Sequence, residues 1–226
     1  MQKIGMIVAM TSELNAMLEK FDKVETFSTL GDRKVLLAKM NGKQIYILES
    51  GVGEIFSASA TQHLISACGV EAIINFGVCG SLCKKHGLKK TVFLSSVVHY
   101  EMDTTAIDDV EVGRYCFLPT REIPTTGELL DVAKRLNPEI ECVVCASGNK
   151  FVADENEKHY LNTTFSADVC EMESAGIALT CLINRIPCLM VKAVSDGEGG
   201  AEEFKVTVDE ASRVYTSLVL DLLKTI

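Results

Sequence analysis

The sequence predicts an α/β fold around a mixed sheet. Short β-rich apolar runs alternate with segments whose apolar residues recur at helical spacing. Glycine-bearing turns follow several of the runs, and no tandem repeat, low-complexity tract or linker divides the 226 residues. One domain over residues 1–226 is the simplest organisation, and a chain of that size buries a core without staples.

Lys3–Val8 is an apolar run that predicts a buried strand, and Thr11–Phe21 follows with Leu14, Met17, Leu18 and Phe21 at helical spacing. Arg33–Met40 and Lys43–Glu49 flank Asn41-Gly42, a strong hairpin signal, so the second strand ends at Ser50-Gly-Val-Gly53. Glu54–Cys68 predicts a helix, Glu71–Phe76 a buried strand, and Gly77-Val-Cys-Gly80 a second glycine-bearing turn. Thr91–Val98, Ile140–Ala146 and Ile186–Val194 are further β-rich runs, with helices expected at about Thr126–Leu136, Ser174–Ile183 and Asp209–Leu223. The polar stretch Asp103–Pro124, with Gly113 and two prolines, is either a long connection or a functional flap.

Composition narrows the function. A net charge of −9 and six dispersed arginines exclude a protein that tracks nucleic-acid phosphates and favour a small neutral or zwitterionic ligand. No apolar run reaches the roughly 18–20 residues of a membrane span, and the N-terminus enters a strand pattern without a signal-peptide layout, so a soluble, cytoplasmic protein is expected. Nine cysteines, an odd number scattered through apolar segments, suit buried thiols in a reducing compartment rather than disulfides. Cys142-Val-Val-Cys145 lies in a strand-like run, where residues three apart face opposite sides. His63, His86, His99 and His159 show no metal-ligand spacing and are expected to be surface or hydrogen-bonded structural residues.

Ligands of open α/β sheets bind beyond the carboxyl ends of the strands. Glu13, Ser50–Gly53, Asn75–Gly80 and Ser195-Asp196 occupy such places and can converge on one cleft. Each acid also has a structural explanation. The helix dipole favours Glu13 in a first turn, Asp196 before Gly197 suits a turn or cap, and Glu171 and Glu173 suit the start of a helix. Partial burial of Asp196 would raise its pKa and make it a proton donor. A GxSxG elbow is absent, so acyl transfer has little support.

Taken together, Val8-Ala-Met-Thr-Ser-Glu13, Ser50-Gly-Val-Gly53, Asn75-Phe-Gly-Val-Cys-Gly80, Ser147-Gly-Asn-Lys-Phe-Val152, Glu171-Met-Glu-Ser-Ala-Gly-Ile177 and Val194-Ser-Asp196 have a family likeness over nearly the whole chain. In order and spacing they resemble the 5′-methylthioadenosine/S-adenosylhomocysteine nucleosidases of the nucleoside phosphorylase superfamily. The resemblance implies a three-layer α/β/α domain with a mixed, barrel-like sheet, usually a homodimer, and no metal or organic cofactor. It implies hydrolysis of a purine nucleoside, with Asp196 protonating purine N7, Glu13 polarising the attacking water and Glu173 accepting from a ribose hydroxyl. Phe151 would stack on the base and the Val152 backbone would read its edge. Met10, Val52 and Met172 would line the sugar and 5′ region beside Ser195-Asp196, while Ile107 and Pro119 would reach into the partner subunit's site.

Glycosidic cleavage independently asks for three acids. It builds positive charge on the sugar, needs a proton for the departing base and needs water on the opposite face. Val78 stands where the family commonly has a serine that holds the water, and Lys192 replaces an arginine in the same neighbourhood. Asn149-Lys150 and Asp196-Gly-Glu-Gly-Gly200 depart from the usual loops. Two other readings remain: a phosphate-dependent purine nucleoside phosphorylase, to which Lys192 would lend a positive charge, and a non-catalytic nucleoside-binding protein.

Overall fold

A computed structural model describes residues 1–125 and 127–226. The chain opens with β1 (Lys3–Val8), α1 (Thr11–Leu18), β2 (Val24–Leu30), β3 (Arg33–Met40), β4 (Lys43–Glu49) and α2 (Glu54–His63). A π-helical turn (Leu64–Cys68) extends α2, and β5 (Ala72–Ser81), β6 (Thr91–His99), β7 (Glu122–Pro124) and α3 (Gly127–Leu136) follow. The remainder is β8 (Glu141–Ser147), α4 (Glu155–Phe165), β9 (Val169–Glu171), α5 (Ser174–Asn184), β10 (Cys188–Asp196), α6 (Gly200–Val214) and α7 (Thr216–Thr225).

The β3–β4 hairpin forms as the sequence predicts. Asn41 and Gly42 both take positive φ, 49° and 79°, as a tight two-residue turn between twisted strands requires. β4 delivers this hairpin to β1 in parallel register, and β1 pairs in parallel with β5. Beyond β5 the sheet closes on itself: β5 pairs with β10, β10 with β6, β6 with β8, β8 with β9, and β9 returns to β5. This five-stranded ring, with parallel and antiparallel pairs, is the mixed, barrel-like sheet that the resemblance implies.

Side-chain alternation sends the two faces of the sheet to different layers. Ile7, Ile73 and Cys145 pack with Ala60, Ala175 and Ala178 of α2 and α5. Met6, Ile74 and Phe76 pack against Met17 of α1, Leu129 of α3 and Tyr215, Val219 and Leu222 near the C-terminus. Cys142 packs with this second group, so it and Cys145 do face opposite sides, and both are free thiols. No helix of the described residues is long and apolar enough to cross a membrane.

Several expected boundaries move. Gly77–Gly80 is not a turn but the second half of β5, where glycine gives other groups room to approach the strand. Ser195 and Asp196 likewise end β10 rather than follow it. The first helix stops at Leu18, and the long helix expected to Cys68 changes pitch after His63 before Gly69, at φ 65°, ends it. The expected C-terminal helix is two helices meeting at Tyr215, the first beginning at Gly200. The expected start of the third helix, Thr126, lies outside the described residues. The sequence reading missed β2, mostly exposed, and α4, a polar helix capped by the Asp154 side chain on the Glu157 N–H at 3.0 Å.

α2 and α5 cross at Gly176, where a Cβ would stand 2.5 Å from the Glu54 carbonyl and 2.9 Å from Ser57 Oγ. Gly176→Ala gains roughly 1 kcal/mol of helix propensity, but backbone cannot yield as a flexible side chain does. A net loss of about 1–3 kcal/mol is expected, read as a lower urea midpoint at unchanged slope. An unchanged midpoint would mean that the two helices separate without cost.

Candidate active site

The first carboxylate is placed by its own helix. Glu13, in the first turn of α1, turns back so that Oε2 accepts the N–H groups of Ala9 and Met10, each at 3.0 Å. Its Oε1 accepts the Val78 N–H at 2.9 Å. That amide belongs to a gap in the sheet: one edge of β5 pairs with β1 along Ala72–Asn75 and with β9 at Gly80–Ser81, leaving Phe76–Cys79 without a strand partner there. Glu13 fills the gap. A Cβ on Gly77 would lie 2.7 Å from Oε1, so glycine is the residue that admits the carboxylate. Burial raises the pKa of Glu13, opposed by Lys192 and by the three N–H donors.

Glu171 and Glu173 stand two apart and do different work. Glu171, ending β9, accepts the N–H of Ser174 at 3.0 Å and so caps α5, and its Oε2 meets Lys192 Nζ at 2.9 Å. Burial alone would push Glu171 up, but Lys192 and these donors hold it below the ordinary carboxylate value. Glu173 instead accepts the Gly53 N–H at 2.8 Å. Burial, reinforced by neighbouring Glu171, raises Glu173 to about 7. Lys192, on β10, keeps its proton despite burial because Glu171, Glu173 and Glu13 surround it.

The fourth acid ends β10. Asp196 Oδ1 accepts from Ser195 Oγ at 2.8 Å, and Oδ2 lies 3.8 Å from Lys158 Nζ. Lys158 also donates to the Gly197 carbonyl. Burial raises the Asp196 pKa, moderated by the serine hydroxyl and the lysine. Gly80 gives it room, since a Cβ there would sit 3.0 Å from Oδ2.

The four acids border one cavity of about 340 Å³. Of the residues singled out in the sequence, Glu13, Glu173, Asp196 and Ser195 line it, as do Met10, Val52, Val78, Phe151, Val152 and Met172. Lys192 does not: it is buried behind the wall and bonded to Glu171. Ile107 and Pro119 are exposed and lie outside this lining. Sequence reasoning missed Phe204, whose ring stands edge-on to Phe151 at 5.4 Å, and Lys158, because α4 and the first turns of α6 were not foreseen. Lys150 also lines the cavity, with its ammonium held by both carboxylate oxygens of Glu157. A half-exposed aromatic ring and apolar walls enclose acids with different proton affinities, an arrangement suited to a planar base and a sugar.

The phosphorylase superfamily profile matches residues 3–224. An aminodeoxyfutalosine nucleosidase of Helicobacter pylori strain J99 is 31% identical over 202 residues, covering 87% of this chain and 86% of its own. A 5′-methylthioadenosine/S-adenosylhomocysteine nucleosidase of Shewanella loihica is 27% identical over 98% of this chain and 99% of its own. The crystal structure of the Helicobacter pylori 5′-methylthioadenosine/S-adenosylhomocysteine nucleosidase complexed with a substituted pyrrolidin-3-ol superposes with a TM-score of 0.93, at 27% identity, covering 100% of this chain and 99% of that one.

The raised pKa of Glu173 has a sign that stability measurements can read. Between its ordinary value of 4.5 and about 7 the folded protein retains a proton that the unfolded chain has released. Stability from this group is therefore lost as pH rises through that window and is level above it. Glu173→Gln removes the titration and is expected to gain on the parent by on the order of 3 kcal/mol between about pH 4 and about pH 8. Parallel urea stabilities at the two pH values would remove the assignment.

Proposed function

The chain belongs to the phosphorylase superfamily, and from that premise we propose that it hydrolyses the N-glycosidic bond of a purine nucleoside carrying a 5′ substituent, 5′-methylthioadenosine, S-adenosylhomocysteine or both. The observation that carries this reading is the set of buried acids around one apolar cavity, each held by different donors. Asp196, its proton affinity raised by burial, delivers a proton to N7 of the departing base, and the Ser195 hydroxyl fixes its orientation. Glu13 orients and polarises the attacking water. Glu173 accepts from a ribose hydroxyl, and its anionic form offsets the charge that develops on the sugar.

Phe151 stacks on the purine with Phe204 bracing it edge-on, and the Val152 backbone reads the base edge. Met10, Val52 and Met172 contact the sugar and the 5′ group. Ile107 and Pro119, both exposed, complete the cavity of a second copy in a homodimer. The reaction belongs to methionine salvage in the cytoplasm. A second substrate is favoured by the 31% identity to an aminodeoxyfutalosine nucleosidase: aminodeoxyfutalosine itself.

Water is preferred to phosphate as nucleophile because the nearby cations are already engaged. Lys192 is bonded to Glu171 and Lys150 to Glu157, while Arg33 packs over the Phe56 ring at 4.7 Å and donates to the Glu49 carbonyl. Among the described residues no arginine lines the cavity, whereas phosphate sites draw on such planar donors.

Incubation with methylthioadenosine, S-adenosylhomocysteine, aminodeoxyfutalosine, adenosine and inosine, with and without phosphate, is expected to release free purine and free sugar independently of phosphate. Asp196→Asn keeps the shape but carries no proton for N7, so turnover should fall roughly 10²–10⁴-fold with nucleoside binding largely retained. A sugar 1-phosphate product with strict phosphate dependence would falsify hydrolysis, and near-parental turnover in folded Asp196→Asn would end its role as the acid.

Val78 puts its backbone N–H on Glu13 and an apolar side chain in the cavity, in place of the hydroxyl common in the family. Val78→Ser adds a donor beside the water while keeping that amide, so turnover is expected to stay level or rise. A collapse of turnover in a stably folded variant would assign the valine to apolar contact with the substrate.

A further inference from the structure

The ends of β5 and β9 are joined by a second cluster of chemistry outside the cavity. Ser81 pairs with Val169, and the Leu82 N–H donates to the Asp168 carbonyl at 2.9 Å. The chain then turns through Cys83-Lys84-Lys85-His86, closed by the His86 N–H on the Cys83 carbonyl at 3.5 Å. A turn of this kind sets its first and fourth residues side by side. Cys83 and His86 thereby face Asp168, which lies 85 residues beyond Cys83 in the chain.

The His86 side chain is wholly buried, yet among the described residues neither ring nitrogen has a hydrogen-bond partner. Buried polar groups are rarely left unpaired, and one that is points to a missing occupant. Its Nε2 lies 3.7 Å from Asp168 Oδ1, too far for an N–H···O hydrogen bond, and Cys83 Sγ lies 3.9 Å from the same oxygen. One donor atom from each of the three residues falls within 4.8 Å of the others. By contrast His99, near Glu54 and Glu101, is already engaged by Tyr115 at 2.7 Å and Glu54 at 3.0 Å.

We propose that Cys83, His86 and Asp168 form a binding site for a divalent transition-metal ion of the zinc type, with water from the adjoining cavity as fourth ligand. Metal bonds of about 2.0–2.3 Å at tetrahedral angles separate donor atoms by roughly 3.3–3.6 Å, so both contacts to Asp168 need close by only about half an ångström and the Cys83–His86 pair by at most roughly 1.2 Å. Thiolate, imidazole and carboxylate together suit zinc or cobalt, whereas magnesium and calcium take oxygen donors. As the Sγ–metal bond forms, the Cys83 thiol proton passes to solvent. Lys85 and Lys90 are both engaged by Glu141, which offsets their charge near the site. A cavity of about 450 Å³, bordered by Cys83 and His86, gives the ion a path of entry. The bound ion pins the junction of β5 and β9 next to the Gly80–Cys170 pair that borders the candidate active site.

Cobalt(II), a spectroscopic stand-in for zinc, tests the site in the purified full chain. One equivalent per chain is expected, with thiolate-to-cobalt charge-transfer absorption and the visible bands of a tetrahedral ion, both abolished by zinc. Cys83→Ser should lose the charge-transfer band, and both Cys83→Ser and Asp168→Asn should weaken binding by at least roughly tenfold. Cys116→Ser, which alters the exposed thiol near Asp108, should leave the spectrum unchanged. Should Cys83→Ser not fold, Asp168→Asn and His86→Gln carry the test by equilibrium dialysis. Failure of the parent chain to bind either metal, survival of the band in Cys83→Ser, or its loss in Cys116→Ser would each overturn the proposal.

Discussion

The cavity depends on one buried ammonium. Lys192 lies behind the wall with Glu171 in direct contact and Glu173 and Glu13 within its field. Removing several charges from water is costly unless they are compensated. A single cation shared among three carboxylates leaves negative charge over, and protons make up the difference. The sharing is unequal: Glu171, bonded to the lysine, is held below its ordinary pKa, while Glu173 and Glu13 are raised. Acids of the same type thus acquire different protonation behaviour: burial raises Glu13 and Glu173, while direct contact with the lysine and the donors at the start of α5 hold Glu171 down.

Backbone geometry does the positioning. β5 is paired along one edge by β10, but its other edge passes from β1 to β9 with a break between them. A strand edge in the interior leaves an amide that must find an acceptor, and Glu13 supplies it. The same economy recurs at Gly53, whose N–H holds Glu173. The glycines at 77 and 80 belong to this arrangement rather than to a turn: their missing side chains are the space that the Glu13 and Asp196 carboxylates occupy.

The sequence made visible the parts whose local pattern agrees with their tertiary role. β1, β3 and β4 are apolar runs around an Asn-Gly turn, and the structure places them at the expected residues. β2 escaped because it lies at the sheet edge with most of its side chains in water, and α4 because among its mostly polar residues only Leu161, Phe165 and the amphipathic Lys158 turn inward. Gly77–Gly80 misled for the opposite reason, since a strand that must admit carboxylates looks locally like a loop. The carboxylates were legible from their motifs. Lys158 and Phe204 were not, since each sits on a helical segment that the pattern did not reveal, and no local signal marks His86 for a partner as distant as Asp168.

The closed ring also sets an order of events during synthesis. Glu173 is held by an amide 120 residues earlier, and Ser195, which orients Asp196, is anchored to the Cys79 carbonyl 116 residues back. Contacts so distant in sequence form late, because their loops must close before the contacts reward it. On a ribosome β1 through β5 emerge first and must wait, with one edge of β5 open, until β10 arrives. A nascent chain that stops before β10 has neither Asp196 nor Lys192, so its hairpin and early helices can assemble while the acids of the cavity have nothing to balance them. Completion of the ring and completion of the charge balance are therefore one event, and the site comes into being only when the chain is nearly finished.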